Sequence, residues 1–296
     1  MPAEVDDHPT EEDTGNQTSR GKVIPQDSGK RPRKRHRFAE LFAGFAGLTE
    51  AVKSICAEVA DVTEPHDKFY GSSLENDQEF LEMNEQDPEE TADWKHFAPP
   101  CRTMTKARRH DRHGKVRKLR SSARPEGFGD KQTVEANLLA DRTAHLCERQ
   151  VNLGKFFSVE NPEESYLWEL KSFKRLAKLD GVRFVVLDQC AYGGPYKKAT
   201  GVLTNCPWLY QARRCADAPP PHHTVLEGKV YSHKVERMVW FTSEAAEYPT
   251  GLCEAWAHHW RDWLLKKGES KEPAPTMRKV GVYQNKLIRE ELPPKE

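Results

Sequence analysis

Between Phe38 and Val59 the chain changes its hydrophobic period once, and that change restricts what it can fold into. Phe38-Ala39-Glu40-Leu41-Phe42-Ala43 is a short, mostly apolar run that breaks at Gly44 and Gly47. Leu48, Val52, Ile55, Cys56 and Val59 then recur at helical spacing. Strand, glycine turn and helix in that order bring a ligand close to backbone and present a helix N-terminus to it. A second short strand is expected over 57–62, with acids at its end.

The alternation continues. A helix is expected around 79–85. Asp93-Trp94-Lys95-His96-Phe97-Ala98 reads as a strand that delivers Pro99, Pro100 and Cys101 at its C-terminal edge. Residues 134–151 are amphipathic, with Leu138, Leu139, Ala144, Leu146 and Cys147 as apolar positions. Lys155-Phe156-Phe157-Ser158-Val159 is a buried-strand pattern ending at Glu160-Asn161-Pro162. A helix over 167–179 and a strand over 182–188 follow, and Thr200 to Thr204 reads as a hairpin return strand. Successive β-α-β units with short strands predict an α/β fold with a doubly wound, mostly parallel, Rossmann-like sheet. In such sheets active sites lie at the carboxyl ends of the strands, where Cys101 and Glu160 fall.

Four segments are expected: an acidic then basic disordered tail at 1–36, a core at 37–205, a short Pro/His/Cys-rich loop region with a closing helix at 206–266, and a loose tail at 267–296. Within the third, Trp256, Trp260 and Trp263 share one helical face and read as core packing.

Charge matters here by position. The 46 basic and 46 acidic residues cancel, but acids crowd the first 13 residues while bases crowd 30–37. From Arg102 to Arg124 there are ten Lys/Arg and one acid, Asp111. A thiol on a proline turn followed at once by a cationic segment suggests a nucleophile held beside a polyanion. The run at 30–37 reads as a nuclear address or a phosphate-contacting arm. Seven cysteines without a CxxC pair, and no N-terminal apolar segment, predict an intracellular protein: nuclear in a eukaryote, cytoplasmic otherwise. No apolar run approaches the length of a membrane span. Cys206, Cys215, His222 and His223 lie together in sequence, but their spacing matches no standard zinc pattern, so no metal is expected.

Three marks therefore stand in order at expected strand ends: FAGFAG at 42–47, PPC at 99–101 and ENP at 160–162. With Asp188-Gln189-Cys190-Ala191-Tyr192-Gly193 and Tyr196-Lys197-Lys198-Ala199-Thr200, they resemble the S-adenosylmethionine-dependent cytosine-C5 DNA methyltransferases, in a divergent branch of phages and mobile elements. The likeness covers about residues 38–265. It implies methyl transfer to C5 of cytosine in DNA, with Cys101 as nucleophile, Glu160 as the carboxyl at the base, and Lys198 as the surviving cation of a motif that otherwise carries arginines. It implies cofactor contacts from Phe42, Gly44, Gly47, Pro100 and Leu138. Asp61, Glu64 and Glu58 compete for the ribose hydroxyls. Arg102, Thr105, Arg108, Arg109 and Arg112 fall on the loop expected to contact the nucleic acid. An RNA cytosine methyltransferase and a catalytically degenerate binding module with the same fold remain alternatives. Only a short span separates Thr200 from Trp260, where bacterial relatives carry a target-recognition domain. Specificity is therefore expected to be low, absent or supplied by a partner.

Overall fold

The computed structural model describes residues 35–106, 119–215, 223, 224, 226, 228–233 and 236–269. Most of the expected N-terminal tail and nearly all of the C-terminal one lie outside these residues. So do Arg108, Arg109, Arg112 and His222.

The first half of the chain follows its hydrophobic pattern closely. Strand β1 (His36–Leu41) leads through the glycine turn into helix α1 (Gly47–Ile55), and β2 (Ala60–Val62) follows. Helix α2 (Asp77–Glu85) is capped by Asn76, whose side chain accepts from Gln78 N and Glu79 N. Strand β3 (Trp94–Phe97) is buried throughout. Helix α3 (Lys131–Asn152) starts at Asp130, whose carboxylate accepts from Thr133 N. Strand β4 (Phe156–Pro162) comes next. The expected single helix over 167–179 is broken into a short 3₁₀ turn, Tyr166–Glu169, and helix α4 (Lys171–Leu176). Leu170 separates them in an extended conformation, with its backbone N–H turned to Leu167 O.

Strand β5 (Arg183–Asp188) and strand β6 (Ala199–Thr204) complete a six-stranded sheet in the order β2-β1-β3-β4-β6-β5. Neighbours among β2, β1, β3 and β4 are parallel, with Leu41 opposite Phe97 and Phe97 opposite Val159. The return strand does more than close a hairpin. It inserts between β4 and β5, antiparallel to both, placing Glu160 opposite Val202 and Leu187 opposite Thr200. One reversed strand in an otherwise parallel sheet gives the mostly parallel, doubly wound class.

Alternation of side chains across the pleat builds two cores. Leu41, Phe97, Phe157, Val159 and Leu203 face α3 and α4, where Leu139, Ala144, Leu146, Phe173 and Leu176 meet them. Phe38, Trp94 and Val202 face the other way, toward Leu48 and Val52 of α1 and the Trp-rich helix α6 (Thr250–Glu269). Trp256 and Trp260 are buried there, and Trp263 stacks near Trp208 at 4.8 Å. No helix among the described residues is long and apolar enough to cross a membrane.

Two regions depart from the sequence expectation. The end of the basic run is fixed to the domain, because Arg35 pairs with Asp61 at 2.8 Å and Arg37 donates to the carbonyls of Glu89 and Glu90. In the stretch expected to be loop, β7 (Lys229–Ser232) pairs antiparallel with β8 (Arg237–Trp240), and a single turn, α5 (Phe241–Glu244), leads toward α6. Tyr231, Met238 and Trp240 of this ribbon are exposed.

Candidate active site

At the carboxyl edge of β3, proline ends the ladder, since it has no N–H to donate. Ala98 N still reaches Leu41 O at 3.1 Å, which keeps this exit beside the end of β1. Pro99 follows, and its carbonyl accepts from Asn161 Nδ2 at 2.8 Å. The asparagine of the ENP motif thus ties the cysteine turn to β4. Met104 N and Thr105 N then close onto Cys101 O at 2.9 and 3.0 Å. Cys101 is left solvent-accessible on this turn.

Glu160 lies on β4, one residue past the position paired with Phe97, and only 7% of it is exposed. Burial raises its pKa, while Lys198 and a hydrogen bond from Tyr248 pull it back. The Cys101 thiol is also pushed up, first by the protein crowded around it and then by the Glu160 charge, with Lys198 opposing. These opposing effects place the three side chains within electrostatic reach of one another. Lys198 itself sits at φ +30, at the end of the turn that leads from β5 into β6. Gln189 N holds that turn by donating to Lys197 O at 2.9 Å. Non-glycine residues adopt such a φ only where surrounding contacts impose it.

Behind Glu160 runs a buried polar chain that the sequence did not announce. Tyr248 Oη donates to Glu160 Oε2 at 3.3 Å. That direction makes His96 Nε2–H the donor to Tyr248 Oη at 3.0 Å, which leaves Nδ1 to accept from Ser158 Oγ at 2.8 Å. Trp94 Nε1 donates to the same Ser158 Oγ at 2.9 Å. Burial lowers the His96 pKa to about 3, so the ring is neutral and the chain carries no net charge. It ends at Glu160, whose other oxygen, Oε1, has no partner among the described residues, as is true of Asn161 Oδ1. An unpaired buried oxygen is costly, and a donor from outside the chain would satisfy it.

The glycine turn lies next door, at the end of β1. Phe42, Gly44 and Ala46 all have φ between 54 and 58. Gly44 suits such a turn because it tolerates positive φ and leaves open space where a Cβ would stand. Gly47 has less need to be glycine, since a Cβ there would meet Cys253 Sγ at an ordinary 3.5 Å. Gly44 N approaches Asp67 Oδ2 at 3.3 Å, so Asp67, not singled out from sequence, is the acid that touches the turn. Phe45 and Phe69 stand exposed beside it with ring centroids 6.2 Å apart.

The other expected residues fall as follows. Asp61 pairs in register with Arg37 and is ion-paired to Arg35, toward the opposite edge of the sheet from the turn. Glu58 is exposed ahead of β2. Glu64 is exposed on the stretch that runs beside β1 toward the turn, where Thr63 N meets Phe38 O and His66 N meets Glu40 O. Pro100 and Arg102 are exposed on either side of Cys101, and Thr105 is half-buried. Leu138 is half-buried on α3, next to Asn137. The basic segment is not uniformly free for phosphate. Arg120 is 2% exposed and donates to Thr103 O, Thr103 Oγ1, Asn137 Oδ1 and two further carbonyls, which fixes the segment's return to α3.

No family model matches the chain, and no curated protein is similar to it. Solved structures similar in part include a methyltransferase of Entamoeba histolytica, EhMeth, at 13% identity over 63% of this chain and 58% of that one, with a TM-score of 0.38. The Dnmt2 methyltransferase of S. pombe is similar at 12% identity over 57% of this chain and 48% of that one, with a TM-score of 0.32. This chain thus matches about half the length of those proteins, and at such identities the likeness assigns it no function.

Proposed function

We propose that this chain methylates C5 of cytosine in a nucleic acid, DNA in the first instance, through a covalent bond between Cys101 and C6 of the base. One observation carries the reading. Cys101 and Glu160 stand at the carboxyl ends of the neighbouring strands β3 and β4, the Glu160 and Lys198 charges both bear on the thiol, and Glu160 is a buried carboxyl with an oxygen left without a partner among the described residues.

Cytosine C5 is a poor nucleophile until a group adds at C6, and a thiolate is suited to add and to leave again. Glu160 is the acid in this scheme. Burial favours its protonated form, which can donate to N3 as negative charge builds on the ring. Once neutral, Glu160 no longer opposes ionisation of Cys101. Cys101 releases its proton to water, and the positive charge of Lys198 steadies the thiolate. Cys101 forms its bond to C6 as N3 takes the proton. After C5 is methylated, loss of the C5 proton to water restores the double bond and expels Cys101, and N3 returns its proton to Glu160. The base must leave its stack to reach these side chains, and exposed Arg102, next to Cys101, would take up backbone phosphate.

S-adenosylmethionine is assigned to the turn at Phe42–Gly47: the space above Gly44 is open, Asp67 borders it, and Phe45 and Phe69 offer apolar surface. When bound there, it supplies an electrophilic methyl group. Target choice then falls to the short span between β6 and α6, or to a partner.

Fluorine at C5 of the cytosine blocks the final elimination, so it tests the scheme directly. Oligonucleotides carrying 5-fluorocytosine, as single- or double-stranded DNA or as RNA, should become attached to the protein at Cys101 only when the methyl donor is present. Cys101→Ser should abolish the attachment. Attachment to RNA alone would transfer the scheme to RNA. A folded protein with no adduct on any of the three leaves a binding module as the correct reading.

A further inference from the structure

We infer that Cys190, Cys215 and His223 bind a zinc ion that pins the turn carrying Lys198. The inference does not depend on the chemistry assigned to Cys101. The ligand atoms of these three residues all lie within 4.8 Å of one another. Cys215 Sγ stands 3.6 Å from His223 Nε2. A tetrahedral ion with Zn–S near 2.3 Å and Zn–N near 2.0–2.1 Å sets its sulfur and nitrogen ligands about 3.6 Å apart.

The three come from separate places. Cys190 lies on the 3₁₀ turn that follows β5, Cys215 lies beyond β6, and His223 lies further along the Pro/His-rich stretch. A second, independent feature is the carboxylate of Asp188. It is 1% exposed. Its Oδ2 accepts from Cys215 N at 2.9 Å and from Arg214 Nε at 3.0 Å, while Oδ1 has no partner among the described residues. Two thiols and an imidazole gathered beside a buried carboxylate offer donors that a divalent cation binds by displacing the thiol protons. Thiolates with an imidazole select zinc over magnesium or calcium. Three protein ligands leave the fourth tetrahedral position to water or another donor.

The inference departs from the expectation of no metal and from the sequence grouping considered for one. Cys206, a member of that sequence grouping, is buried elsewhere with its Sγ on Phe157 O at 3.2 Å. Cys190 takes its place, 25 residues before Cys215 in the chain.

The position gives the ion a structural role. Asp188 N bonds to Arg213 O, Gln189 N to Lys197 O, and Thr224 N to Pro195 O. The metal would clamp both ends of this arrangement, so its loss should release the turn that ends at Lys198.

The full chain, purified with reductant and without chelator, should hold about one zinc per chain by elemental analysis. Cys190→Ala, Cys215→Ala and His223→Ala should each bring this near zero, while Cys101→Ala should leave it unchanged. Replacing zinc with cobalt should produce cobalt–thiolate absorption in the wild-type chain, which reads the ligands even if the variants do not fold. A folded wild type with no zinc and no such absorption overturns the inference. So do variants that keep their zinc, or a Cys190–Cys215 disulfide in the reduced preparation.

Discussion

Two buried glutamates stand at the carboxyl edge of the same sheet, Glu40 at the end of β1 and Glu160 near the end of β4, and only one is left in want of a partner. Glu40 is 2% exposed, and its Oε2 accepts from Thr49 N at 2.7 Å and Thr49 Oγ1 at 2.6 Å. Those bonds fasten the first turn of α1 to β1, across the glycine turn. Glu160 is nearly as buried, but among the described residues its one bond comes from Tyr248 and its other oxygen has no partner. Burial raises both carboxyl groups, Glu40 to about 7. A buried acid enclosed by local donors holds a fold together. A buried acid at the end of a polar relay, with one oxygen lacking a partner among the described residues, is suited to meet something outside the chain.

Substituting each acid should separate the two roles. Glu160→Gln keeps the shape but removes the proton to be donated, and should slow adduct formation by about two to three powers of ten. A tenfold effect or less would put Glu160 in the same class as Glu40.

Tyr248→Phe should have a smaller effect, about tenfold on rate, by removing one hydrogen bond to Glu160 and one to His96. Its sharper signature is in the pH profile. The Tyr248 bond lowers the Glu160 pKa, so its loss should move the alkaline limb, where Glu160 gives up its proton, to higher pH. A limb that stays put or moves down would detach the relay from the acid.

Glu40→Gln should leave the rate nearly unchanged and act on stability instead. A group whose folded pKa is raised binds its proton more tightly when folded. Stability from Glu40 is therefore full below its unfolded value of 4.5 and is lost as pH rises through about 7. Glutamine can accept both Thr49 bonds through one oxygen, so the variant should flatten the wild-type decline between those pH values. The difference is on the order of 3 kcal/mol at the alkaline end. Melting curves from pH 4 to 8 that stay parallel would show that Glu40 does not titrate in this range.

The element order was legible because it is written in local periods. The apolar run at 38–43, the buried-strand pattern at 155–159 and helical spacing along 48–59 and 134–151 need no distant partner to be read. The glycine turn, Cys101 and Glu160 were legible for a related reason, since each sits in a short motif at the end of such a run. The neighbours that make the site work lie far away in sequence. His96 meets Ser158 across 62 positions and Tyr248 across 152. Tyr248 meets Glu160 across 88. None of them carries a local pattern that marks a polar role; His96 even lies in a wholly buried strand.

What the sequence determined by itself was therefore a doubly wound α/β chain with a thiol and a carboxyl at two strand ends, because period and motif act over a few residues. The tertiary structure alone decided that β6 enters between β4 and β5, bringing Lys198 to the same edge. It also decided that Asp67 touches the glycine turn, that Arg120 is an anchor within the basic segment, and that Cys190 joins Cys215 and His223. Each of these depends on which distant segments the sheet brings side by side, and that is set by burying both of its faces at once.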